Sequence, residues 1–187
     1  MLLPIIELGI CLIGIVILFF AYYYNRIVTL SNQVDNSWSQ IDVQLKKRAD
    51  LVPNLVETVK GYMKHEQKAI KMVTDARAKM MGAGSVDEKI KAHGELTAAL
   101  KTILALAENY PQLQASENFK LLQEQLEGIE SKIAYARQFY NDSVLRYNNV
   151  TATIPGVWFA GFMGKVQKLY FQIEEAERAP VKVKFDE

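Results

Sequence analysis

The feature that most constrains this chain is a run of 17 residues without a charge, Leu8 to Tyr24. As a helix it measures about 25 Å, and the apolar residues before Glu7 extend it to bilayer thickness. It reads as a transmembrane helix. Leu8, Ile10, Leu12, Ile15, Ile17 and Phe19 supply its apolar body. Tyr22, Tyr23 and Tyr24 stand where an aromatic belt meets the headgroups, followed by Asn25 and Arg26 in water. A cleaved signal peptide would show a positive n-region, a shorter apolar core and a small-residue cleavage site, and none of the three is present. A lipoprotein role for Cys11 fails because Ile10 precedes it where a small residue is needed, which leaves Cys11 facing lipid or packing.

Charge is distributed accordingly. The chain has 22 basic and 21 acidic side chains, a net charge of +1, yet residues 1–25 carry a single one, Glu7. Phosphate binding would show as a basic excess, so nucleic acid is set aside as a partner. With Cys11 as the sole cysteine, an intramolecular disulfide framework and a multi-cysteine zinc site are excluded. Arg26 and then Lys46, Lys47 and Arg48 follow the span, against Glu7 before it, so the positive-inside rule favours a cytoplasmic domain and leaves the opposite side open.

Beyond the anchor, Pro53, Pro111, Pro155 and Pro180 punctuate four apolar seams. Ile27, Leu30, Val34, Trp38, Ile41 and Leu45 recur every three or four residues, a seam able to continue the membrane helix without a break. Pro53, lacking an amide donor, is expected to interrupt that helix or to open the next, so that a new helix or a kink starts there. The second seam, Leu55, Val59, Tyr62, Ala69, Val73, Ala76 and Met80, stops at Gly82-Ala83-Gly84-Ser85. The third covers about 86–109 with Ile90, Leu96, Leu100, Ile103, Leu104 and Ala107. The fourth, with Ser116 as N-cap, carries Phe119, Leu122, Leu126, Ile129, Ile133, Ala136, Tyr140, Val144 and Tyr147. Such seams joined by short loops bury one another, so the expected fold is all-α: a transmembrane helix (1–25), a long antiparallel four-helix bundle (26–150) and an irregular C-terminal tail (151–187).

The tail is apolar and glycine-rich from Ile154 to Gly164, too short to span a bilayer, and needs burial. Three places offer it: its own bundle, a bilayer interface beside Lys165 and Lys168, or a neighbouring subunit. Trp158, Phe159, Phe162, Tyr170, Phe171, Val183 and Phe185 are the candidate contacts with an oligomer, a partner or the bilayer interface. Pro180 to Phe185 alternates apolar and polar residues, suiting a short strand or a segment laid along helices.

Chemical motifs are weak. His65-Glu66-Gln67-Lys68-Ala69 has alanine where a zinc hydrolase needs its second histidine, and His93 belongs to another segment, so both histidines are read as solvated. Asp35, Asp42, Asp50, Glu57 and Glu66 read as charges on solvated faces, and phosphate loop and nucleophile elbow are both missing. No enzyme and no cofactor is expected. Lys46, Lys47 and Arg48 lie about 33 Å along a helix from Tyr24, too far for their own bilayer, and read as a solvated corner. Asp35 and Asp42 flank the first seam as Arg137 and Asn141 flank the fourth, either as solvated charges or as interhelix polar contacts that set register.

Tyr24-Asn25-Arg26-Ile27-Val28 and the block from Val34 to Arg48, with Val34-Asp35-Asn36-Ser37-Trp38 at its head, resemble the LemA proteins. Asp50-Leu51-Val52-Pro53-Asn54-Leu55, His65-Glu66, Ala76-Arg77 and Ala136-Arg137-Gln138-Phe139-Tyr140-Asn141 continue the resemblance, which covers essentially the whole chain. It implies one N-terminal membrane helix in a bacterial inner membrane and a long helical bundle, with no recognised catalytic residues. It also implies a link, through a magnetosome member, with shaping or budding of membrane. Ile154-Pro155-Gly156-Val157-Trp158-Phe159 departs from the usual Pro-x-Asn-x-x-Ala version, although Gly161-Phe162 and Tyr170-Phe171 still match. The expected function is a membrane-anchored, homo-oligomeric scaffold that organises or shapes the bilayer; the alternative is an adaptor of another membrane protein such as a membrane protease.

Overall fold

The computed structural model describes residues 2–172, with side chains from Ile6 onward. Six helices follow one another: α1 (Leu2–Lys60), α2 (Gln67–Gly82), α3 (Val86–Ala107), α4 (Pro111–Gln114), α5 (Glu117–Ala152) and α6 (Gly156–Phe162), with no strand among the described residues. The chain is all-α, as its seams require. Its described residues divide into two compact units, one of residues 2–41 with 136–170 and one of residues 42–135 with 171–172, so α1 and α5 each contribute to both.

The second unit holds the four-helix bundle. Asp42 of α1 pairs with Lys89 of α3, and one to two turns on Arg48 meets Thr97, so α1 and α3 run parallel. Arg77 of α2 reaches back to Ala49, and Lys79 of α2 pairs with Glu95 of α3 across the 83–85 turn, so α2 runs opposite to both. Ser85 opens α3 with a capping box: its hydroxyl accepts from the Glu88 amide while the Glu88 carboxylate accepts from Ser85 and Gly84. Those backbone bonds hold the Glu88 carboxyl below its ordinary range.

In the first unit α1 and α5 pair antiparallel, Ser37 with Ser143 and Trp38 with Tyr140, the second an edge contact at 5.6 Å. Helix length explains why four helices meet in one unit only. At about 1.5 Å per residue α2 and α3 span about 24 and 33 Å, whereas α5 spans about 54 Å, so α1 and α5 have length to spare.

Three expectations change. Helix α1 does not break at Pro53 but runs to Lys60, with Pro53 inside it. Proline removes the donor to the carbonyl four residues back, that of the fully buried Ala49, and the Arg77 Nε–H supplies one at 3.0 Å. The break falls at residues 61–66, where Met63 takes the buried position after Val59 and Tyr62 turns outward. The tail is not irregular throughout, because residues 156–162 form α6.

Candidate functional site

The feature that stands out is the C-terminal segment of the first unit and the end of α1 beside it. From Ile6 to Arg26 no side chain of α1 is buried; burial begins abruptly at Ile27. Helix α1 is long and apolar enough to cross a membrane, and no residue of its apolar window is buried. Leu8, Ile10, Leu12, Ile15, Ile17, Phe19, Tyr22 and Tyr24 are exposed, Tyr23 is half-buried, and Cys11 is exposed.

Helix α6 packs against this stretch. Its small residues face inward: Gly156 and Ala160 are buried, and a Cβ on Gly156 would lie 2.0 Å from the Val150 carbonyl oxygen, so only glycine fits there. Phe159 stacks on Tyr23 with centroids 5.1 Å apart and planes 2° from parallel. Phe20 meets Phe159 and Phe162 edge-on at 5.9 and 6.0 Å. Trp158 and Phe162 are 66% and 81% exposed, Phe162 keeping only its edge contact with Phe20.

After α6 the chain continues without regular structure, held by side chains of α5. Asn148 grips both backbone groups of Lys168: its Nδ2 donates to the carbonyl at 2.9 Å and its Oδ1 accepts from the amide at 2.8 Å. Tyr147 donates to the Val166 carbonyl and Tyr140 to the Leu169 carbonyl, at 3.1 and 2.9 Å. Burial pushes both phenols above their ordinary pKa, with the Asp35 carboxylate adding to it, so they remain donors through neutral pH. The Lys168 ammonium pairs with Asp35 at 2.6 Å, donates to the Ser31 carbonyl and lies over the Tyr147 ring.

Asp35 therefore meets the tail and Asp42 meets Lys89 of α3, while Arg137 and Asn141 sit half-buried on α5. Phe159 is half-buried and Tyr170 exposed. Phe171 is withdrawn as a contact with partner or bilayer, because it is buried in the second unit with its ring perpendicular to that of His93 at 5.5 Å. Val183 and Phe185 lie outside the described residues. His65 is exposed, but His93 is buried rather than solvated, since it precedes Leu96, Leu100 and Ile103 on the inner stripe of α3. Arg48 likewise leaves the solvated corner. It lies three residues after Leu45, inside the seam, where it pairs with Glu130 at 2.8 Å and donates to Thr97. No cluster of three or more His, Cys, Asp or Glu suited to a metal occurs among the described residues.

The sequence pattern of the LemA family matches residues 37–185. The chain belongs to the LemA family. Curated relatives include the magnetosome proteins MamQ 2 and MamQ 1 of Paramagnetospirillum magneticum, each 24% identical over 184 residues that cover 84% of this chain and 68% of theirs. MamQ of Magnetospirillum gryphiswaldense is 23% identical with the same coverage. An apolar helix of this kind in a LemA protein fits a membrane location. Within this LemA chain, Asn148, Tyr147 and Tyr140 do what periodicity did not reveal. Two of them were legible as seam residues, but their hydroxyls anchor the tail, and the one hint was polar Asn148 following the last seam position.

Proposed function

We propose that this LemA protein is a non-enzymatic, membrane-anchored helical scaffold that self-associates and organises or shapes the bilayer it occupies. The observation that carries the reading is a groove of about 540 Å³ between α1 and α5 in the second unit. Leu51, Leu121 and Ile129 give it an apolar centre, flanked by Lys47 and Lys132 and by Asp50 and Glu124. Two cations and two anions around one apolar patch are self-complementary, as a two-fold interface between identical chains requires. Leu121 is 53% exposed and a Cβ on Gly128 would meet nothing, so the groove has room for another surface. An anchor in one plane raises the effective concentration of copies. The family's implied link with membrane shaping supports the same reading.

The test is the mass and shape of the full-length protein in mild detergent, by light scattering and electron microscopy on one fraction. A uniform multi-subunit particle that falls apart on Leu121→Glu is expected. A monomer overturns self-association and favours an adaptor of another membrane protein.

A further inference from the structure

We propose that α6 is a second membrane contact, an interfacial helix whose Trp158 and Phe162 insert at the boundary between headgroups and acyl chains beside the anchor. The proposal stands on the membrane span and not on self-association.

Depth is fixed by packing. The exposed apolar stretch of α1, residues 8–24, is about 25 Å long, most of the thickness of a hydrocarbon core. Its C-terminal edge is marked by Tyr22 to Tyr24 and Arg26. Phe159 lies flat against Tyr23, and Phe162 touches Phe20, about one turn further into the span. With the anchor in a bilayer, α6 is therefore held at the level of the aromatic belt, where Trp rings are favoured.

The faces of α6 agree. At 100° per residue Gly156 and Ala160 share one side and Trp158 and Phe162 the other. A helix settled in water buries its largest apolar side chains; this one buries Gly156 and Ala160 and presents the indole and the phenyl outward. From Thr151 to Gly164 the sequence has no charged residue, and the first that follows, exposed Lys165, suits a headgroup phosphate. Lipid is the occupant that the position selects, because Phe159 and Phe162 join α6 to Phe20 and Tyr23 at the edge of the exposed apolar residues of α1.

The chain has two tryptophans, so Trp38→Phe leaves Trp158 as the sole indole reporter. The full-length variant is reconstituted in phosphatidylcholine–phosphatidylglycerol vesicles containing lipids brominated at shallow or deep acyl positions. Trp158 emission is expected to be blue-shifted, quenched more by shallow than by deep bromines, insensitive to aqueous iodide, and unchanged when protein is diluted with lipid. Should Trp38→Phe unfold the chain, the same readings come from the difference between the natural chain and Trp158→Phe. Iodide quenching without lipid quenching would place Trp158 in water and overturn the proposal. Emission insensitive to both quenchers, shifting red on dilution, would place a second copy over α6; that outcome overturns the lipid contact while self-association stands. Lipid quenching in a protein that is monomeric in detergent would retain the contact and remove the scaffold.

Discussion

Pro53 and Arg77 form a pair whose coupling is open to measurement. Proline in a helix interior deprives the carbonyl four residues earlier of its donor, and its ring pushes that carbonyl outward. Here the carbonyl belongs to Ala49, which is 0% exposed, so water does not replace the lost bond. Arg77 of α2 replaces it with a charge-assisted bond at 3.0 Å. Arg77→Met keeps the aliphatic stem and removes the donor, and should cost about 1–3 kcal/mol, the usual penalty for a buried acceptor left unpaired. Pro53→Ala restores the main-chain donor, so in that background Arg77→Met should cost at least about 1 kcal/mol less. The assay is a double-mutant cycle of thermal unfolding, followed by far-ultraviolet circular dichroism on the full chain in one detergent. Equal costs in both backgrounds would refute the reasoning, since Arg77 would then act on something other than the bond that Pro53 removes.

Asn148→Ala should release both backbone groups of Lys168; at about 1–2 kcal/mol the open state becomes roughly tenfold more populated, read as faster tryptic cleavage after Lys165 or Lys168. Alkaline pH should free the same segment. The folded pKa values of Tyr140 and Tyr147 lie above the ordinary 10.0, so their contribution is complete below pH 10 and is lost as pH rises through the folded values. Phenolate absorbance and tryptic cleavage should rise together, and a Tyr140→Phe, Tyr147→Phe double variant should lose that coupling. Arg48→Met should cost about 1–2 kcal/mol in the same thermal assay, below the ~3–5 kcal/mol of a pair buried at both ends, because the Glu130 side chain is 41% exposed.

Most of the helical framework was legible because burial on a helix repeats every three or four residues and the chain keeps to that period. Ile27 through Leu45, Phe119 through Val144 and Leu96 through Ala107 are inward largely where their spacing puts them. Arg48 and His93 show where the reading faltered. Both occupy seam positions, but residue type outweighed position, and a buried arginine was not anticipated because its partners Glu130 and Thr97 are distant in sequence. Pro53 misled for a related reason. The local rule that proline breaks a helix holds only while its orphaned carbonyl lacks a donor, and Arg77 arrives from another helix.

The membrane-proximal site was legible as composition and not as geometry. That the stretch after Ile154 needed burial followed from its apolarity, but seven residues make about two turns, too few for a period to reveal which face is covered. The answer lies in one steric fact and one contact. Gly156 must meet the Val150 carbonyl, which turns the small face of α6 inward and commits Trp158 and Phe162 to the outside. Phe159 must meet Tyr23, which sets the depth of that outer face against a membrane span far away in sequence. A tail with larger residues at 156 and 160 would have to dock by another face, and its aromatic side chains would lose their place at the level of the tyrosine belt.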